Sequence, residues 1–175
     1  MSAKDEFIQI YTDNVHREGA ADLLKWLEST DFFTAPASTK YHSCHEGGLC
    51  EHSLNVFNRI RRLIAREYDM YEKSPYPIET LAICGLLHDV CKANFYKATT
   101  RNVKNEQTGQ WEKQSYYSIE EKFPYGHGEK SVAIRFHMGE FEKERSTSDA
   151  YSKFPLAVML HISDLLATYL DEKEE

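Results

Sequence analysis

One carboxylate narrows the folds open to this chain. Asp164 lies in His161-Ile162-Ser163-Asp164-Leu165-Leu166-Ala167, a stretch with helical apolar spacing. A charge inside such a helix is costly to bury unless it is paired or bound to a metal. The fold must therefore bring Asp164 a partner from elsewhere. Two other stretches carry the same oddity. His88-Asp89 closes the apolar run from Leu81 to Leu87, and His52 stands one turn into a helix opening at Gly48-Leu49. Neutral imidazoles and carboxylates together suit a divalent transition metal, so one ion would resolve all three. Its ligands would come from separate helices packed face to face. Taken singly, each His also fits a hydrogen-bonded core residue.

The remaining periodicity supports a helical body. Phe7, Ile8, Tyr11 and Val15 recur at helical spacing, and a short helix follows from about Ala20 to Glu28. The pattern breaks from Ser29 to Gly48, where Pro36, several Ser and Thr residues and Gly47-Gly48 mark a loop. It returns through Val56, Ile60, Leu63 and Ile64. The next helix starts near Pro77, a favourable first-turn residue. Residues 95–120 differ: β-forming residues flank Gln107-Thr108-Gly109-Gln110 and predict a small hairpin insertion. A helix is expected from about Gly128 to Met138. The last is expected to begin near Pro155, after the cap candidates Ser148 and Asp149, and to reach about Leu170. Its acidic end, Asp171 to Glu175, opposes the helix dipole and should fray. The expectation is an all-α bundle with one hairpin, a single domain over 1–175 with its core at about 41–170.

Composition removes several classes. The formal net charge of −7 disfavours a protein that coats nucleic acid, which needs a broad positive surface, and no stable nucleic-acid complex is expected. No apolar run reaches membrane-spanning length, and the first residues carry no apolar signal core. Four cysteines are too few for a disulfide scaffold, which fits a reducing cytoplasm. Cys84 and Cys91 read as buried free thiols.

Three segments now stand in order: Glu46-Gly47-Gly48-Leu49-Cys50-Glu51-His52-Ser53, Gly85-Leu86-Leu87-His88-Asp89-Val90-Cys91-Lys92, and the Asp164 stretch. Together they resemble the HD-domain superfamily of metal-dependent phosphohydrolases. The Glu-Gly-Gly-Leu lead-in resembles HD domains found beside a nuclease module in some bacterial exoribonucleases, and phage-type stand-alone members. The resemblance covers Tyr41 to Tyr169; residues 1–40 contribute little to it. It implies that His52, His88, Asp89 and Asp164 ligate the primary metal. Cys91 departs from it, since the family more often has Gly before the Lys. Binuclear members carry extra histidines between the second and last motifs, and His127 and His137 look like these. Asp89 would then bridge two ions. The metal would be Mn, Fe, Co, Ni or Zn, with Mg also open.

The expected reaction is hydrolysis of a phosphomonoester or phosphodiester, of a nucleotide or another small phosphorylated molecule, by metal-activated water. Asp89 would orient the water or take its proton, and Lys92 would pair with phosphate. Arg135 and His42 are further substrate contacts. His161, three residues before Asp164, is expected as a hydrogen-bond partner behind the ligands. His42, Cys44, His45 and Cys50 lack Cys-x-x-Cys spacing and read as a loop bordering the cleft. Lys92, Lys97, Arg101, Lys104 and Lys113 outnumber Glu106 and Glu112, so the hairpin would steer an anion or simply guard a solvated edge. Tyr96, Trp111, Tyr116, Tyr117 and Tyr125 would stack on a base or pack the hairpin down. Arg59, Arg61, Arg62 and Arg66 read as a solvated helix face. The alternatives are a di-iron oxygenase of the same superfamily, a non-catalytic nucleotide-binding regulatory module and a Zn-stapled structural domain.

Overall fold

The computed structural model describes residues 1–39, 42–70, 73–106, 108–119 and 146–172. Helix α1 spans Ala3–Asn14, and α2 spans Ala20–Ser29. Ser2 caps α1: its hydroxyl accepts from the Asp5 backbone N–H, while the Asp5 carboxylate accepts from the Ser2 backbone N–H. The long α3, Gly48–Glu67, lays Leu49, Val56, Ile60 and Ile64 along one buried stripe, and His52 and Ser53 lie on that same stripe. Helix α4, Ile78–Leu87, is buried over most of its length, so its apolar residues do not segregate to one side.

A short 3-10 turn at Val90–Lys92 follows α4 and leads into the hairpin. Strand β1, Tyr96–Lys104, pairs antiparallel with β2, Trp111–Ile119, in register Tyr96↔Ile119 to Lys104↔Trp111. Most described side chains along it are exposed, Trp111 at 71%. The hairpin's root packs on the loop after α2: the Tyr96 hydroxyl donates to the Ala37 carbonyl at 3.3 Å.

Two helices close the described chain, α5 at Ser146–Lys153 and α6 at Pro155–Leu166. Helix α5 corrects the sequence reading, which took Ser148 and Asp149 as caps of the helix beginning near Pro155. Phe154 separates the two with φ −131° and ψ 84°, because a residue before proline is pushed out of the helical region. Helix α6 continues as a π-helical turn over Ala167–Asp171. The expected helix at 128–138 lies outside the described residues.

The core joins Phe7 and Tyr11 of α1, Leu27 of α2, Phe32, the α3 stripe, Leu81 and Leu86 of α4, and Leu160 of α6. The first two helices and Phe32 are thus integral to the body. A second correction concerns the thiols. Cys50 and Cys84 are buried, but Cys91 is exposed, because the chain leaves α4 before reaching it. Among the described residues, no helix is long and apolar enough to cross a membrane.

Candidate metal centre

The close crossing of α3 and α4 builds the site. A Cβ on Gly85 would lie 2.6 Å from the Phe57 Cα, so only glycine lets the two backbones approach this far. One turn beyond Gly85, at the end of α4, His88 meets His52. Their Nε2 atoms are 3.1 Å apart. Asp164 of α6 brings Oδ1 to 3.1 Å from the His52 Nε2. Asp89 brings Oδ2 to 3.6 Å from His52 Nε2 and 3.5 Å from His88 Nε2. The structure therefore gathers His52, His88, Asp89 and Asp164 from three elements into one cluster. His52, His88 and Asp89 are buried; the Asp164 side chain is 17% exposed.

The other ring nitrogens fix the chemistry of this cluster. His88 Nδ1 lies 2.8 Å from the Gly85 carbonyl, which can only accept, so Nδ1 carries the proton. His52 Nδ1 lies 3.0 Å from the Glu172 carboxylate and donates to it. Once neutral, as a metal ligand must be, each ring has one N–H, so both Nε2 atoms offer lone pairs; Asp89 Oδ2 lies within 3.6 Å of both, and Asp164 Oδ1 lies 3.1 Å from that of His52. The ligand atoms of His52, His88 and Asp89 all lie within 4.8 Å of one another, Asp164 adjoins them through His52, and electron-rich atoms gathered in a buried place need a positive charge between them. The separations among His52, His88 and Asp89, and that of Asp164 from His52, match the roughly 3–3.5 Å expected of donors about 2.1 Å from a shared ion. The donor set, two imidazoles and two carboxylates, suits a divalent transition metal.

Protonation follows the same logic. A proton meets the same need: burial opposes a charge on His52, yet hydrogen bonds to Asp164 and Glu172 and the charge of Asp89 push its pKa up to about 9, the second proton sitting on Nε2 toward Asp164, where a metal would displace it. Burial alone would raise Asp164, but its hydrogen bond to His52 and the nearby imidazoles hold it below the usual carboxylate value. These surroundings favour positive charge at the centre.

Lys92 sits on the wall of the cluster. Its Nζ lies 2.6 Å from the Asp89 Oδ2 and donates to the Ala37 carbonyl at 2.9 Å. Burial works against its charge, but Asp89 more than offsets this and raises its pKa. Two of its three N–H groups are thus engaged within the protein.

Glu172 is the residue that sequence reading missed. Its oxygens accept from His52 Nδ1, from Asn55 Nδ2 at 3.0 Å and from Ser43 Oγ at 2.7 Å. Burial favours its neutral form, but these donors hold its pKa down at about 2. The expected fraying at Asp171 and Glu172 is therefore corrected. Asp171 pairs with Arg59, and Glu172 closes onto the His behind the cluster. On an ideal helix, eight residues would leave Asp164 and Glu172 about 80° apart. The wider π-helical turn, closed by the Glu172 N–H on the Ala167 carbonyl at 3.0 Å, takes up that difference. An acidic end read only against the helix dipole gives no hint of this.

His42 lies beside the cluster, its ring centroid 4.8 Å from that of His52. His45 faces away, toward the Glu46 carbonyl and the Glu51 carboxylate. The His161 ring lies 5.9 Å from that of Tyr151. His127, Arg135, His137 and Tyr125 lie outside the described residues, and with them the expected second metal position.

Comparison with known proteins gives one positive result. No curated protein and no solved structure matches the chain. The family model described as HD domain matches residues 49–172, a span that takes in His52, His88, Asp89, Asp164 and Glu172. With the match covering most of its length, the chain belongs to the HD domain family.

Proposed function

We propose that this protein is a metal-dependent phosphohydrolase acting on a phosphomonoester or phosphodiester of a nucleotide or other small phosphorylated molecule. The observation that carries the reading is the meeting of the His52 and His88 Nε2 atoms and an Asp89 oxygen, 3.1–3.6 Å apart, with an Asp164 oxygen 3.1 Å from the His52 Nε2. His52, His88, Asp89 and Asp164 would hold a divalent ion. Such an ion lowers the pKa of water and neutralises phosphoryl charge.

The chain's own groups do the rest. Asp89, paired with Lys92, orients the attacking water and accepts its proton. Lys92 has one N–H left for a phosphoryl oxygen and acts there as a point charge. Held on one side by Asp89 and on another by Ala37, its ammonium is oriented before substrate arrives.

Elemental analysis of the purified protein, followed by a panel of nucleotides and phosphodiesters with the metal found, tests this reading. His88→Ala and Asp89→Ala are expected to lose bound metal and phosphoester hydrolysis together. Retention of both in either variant overturns the assignment.

A further inference from the structure

The loop before α3 holds one side chain that the proposed reaction leaves idle. The His42 Nδ1 and Nε2 are both buried, and neither has a hydrogen-bond partner among the described residues. Loop residues around it are pinned. The His42 backbone N–H donates to the Ser38 hydroxyl at 3.1 Å, and the Cys44 thiol lies 3.6 Å from the His42 carbonyl. Ser43 takes φ +43°, a conformation rare for a residue with a side chain, and its hydroxyl is bonded to Glu172. The ring is thus fixed close to the cluster with both of its polar atoms unspent. Buried imidazole nitrogens are ordinarily paired, so this arrangement points to a missing partner.

The nature of that partner follows from the neighbours. Glu172 is not the match, because its oxygens are already shared among His52, Asn55 and Ser43. In either protonation state the His42 ring offers at least one N–H donor. Beside the proposed ion and the Lys92 ammonium, the group best served by an N–H is an oxyanion. We propose that His42 is a substrate-binding residue whose ring N–H grips a phosphoryl oxygen. This rests on the phosphohydrolase reading and deepens it: the site would recognise a tetrahedral oxyanion through His42, Lys92 and the ion together.

Inorganic phosphate, the part common to the candidate products, is the probe. Its binding to the metal-loaded protein is measured by calorimetry for wild type, His42→Ala and His42→Gln, with metal content and Tm recorded for each. His42→Ala is expected to keep full metal content and to bind phosphate about tenfold more weakly, the effect of a hydrogen bond to a charged group. His42→Gln, which retains an N–H donor, is expected to recover part of the loss. Unchanged phosphate affinity in a folded, metal-loaded His42→Ala overturns the proposal. So does loss of metal, which would make His42 a ligand instead. The parent reading fails separately, if wild type hydrolyses no phosphoester while His42→Ala still loses phosphate affinity.

Discussion

At the scale of single residues, the site depends on groups that never face the ion position. Glu172 settles which nitrogen of His52 carries the proton, and the Gly85 carbonyl does the same for His88. Without them each ring could turn its N–H toward the carboxylates and offer no lone pair. Such partners behind a ligand commonly contribute 10–100-fold to metal affinity. Glu172→Gln removes the charge but keeps the size, and is expected to weaken metal binding by about that factor with the fold intact. Competition with a chromophoric chelator measures it; an unchanged competition curve would show that His52 is oriented some other way. His52, His88, Asp89 and Asp164 were legible in the sequence because each is a polar group where an apolar one belongs. Glu172 was not, since an acidic residue near a chain's end has an ordinary solvated reading.

At the scale of elements, the crossing of α3 and α4 sets the distance between the two histidines. Gly85 lies against the Phe57 backbone, and helices pack this closely only where one side chain is absent. Gly85→Ala places a methyl group 2.6 Å from the Phe57 Cα, and backbone cannot swing aside as a long side chain can. The expected cost is about 1–3 kcal/mol. In a chain of this size, each kcal/mol lowers Tm by about 2–4 °C. Thermal unfolding of the metal-free variant checks this, and an unchanged Tm would mean that the crossing yields at little cost. Helical periodicity identified α3, α4 and α6, and alternating β-formers identified the hairpin. Helix α5 escaped because Ser146-Thr147-Ser148-Asp149 is a run of cap-forming residues with weak apolar periodicity.

At the scale of the whole molecule, both ends of the chain close on the centre. The loop after α2 supplies the Ala37 carbonyl to Lys92, and Asp31 and Asn94 bond each other's backbone N–H groups across the base of the hairpin. From the other end, Asp171 and Glu172 reach Arg59 and His52 on α3. Ending the chain at Leu170 is therefore expected to lower Tm and metal retention together. Leu170→Ala, at a side chain 63% exposed, is expected to change neither. Calorimetry and metal analysis of the two proteins decide the matter; full metal retention in the shortened chain would detach the C-terminal segment from the centre. Sequence alone determined the helical class, the hairpin and the four polar residues set into apolar runs, because each is a local departure from a local pattern. The tertiary structure alone decided that the His42 ring stands beside the cluster without a hydrogen-bond partner among the described residues, and that Glu172 orients His52. The Glu172 contacts with His52 and Ser43 join positions 120 or more residues apart, and the place of the His42 ring turns on how its loop lies against α3. Neither kind of relation leaves a periodic trace along the chain.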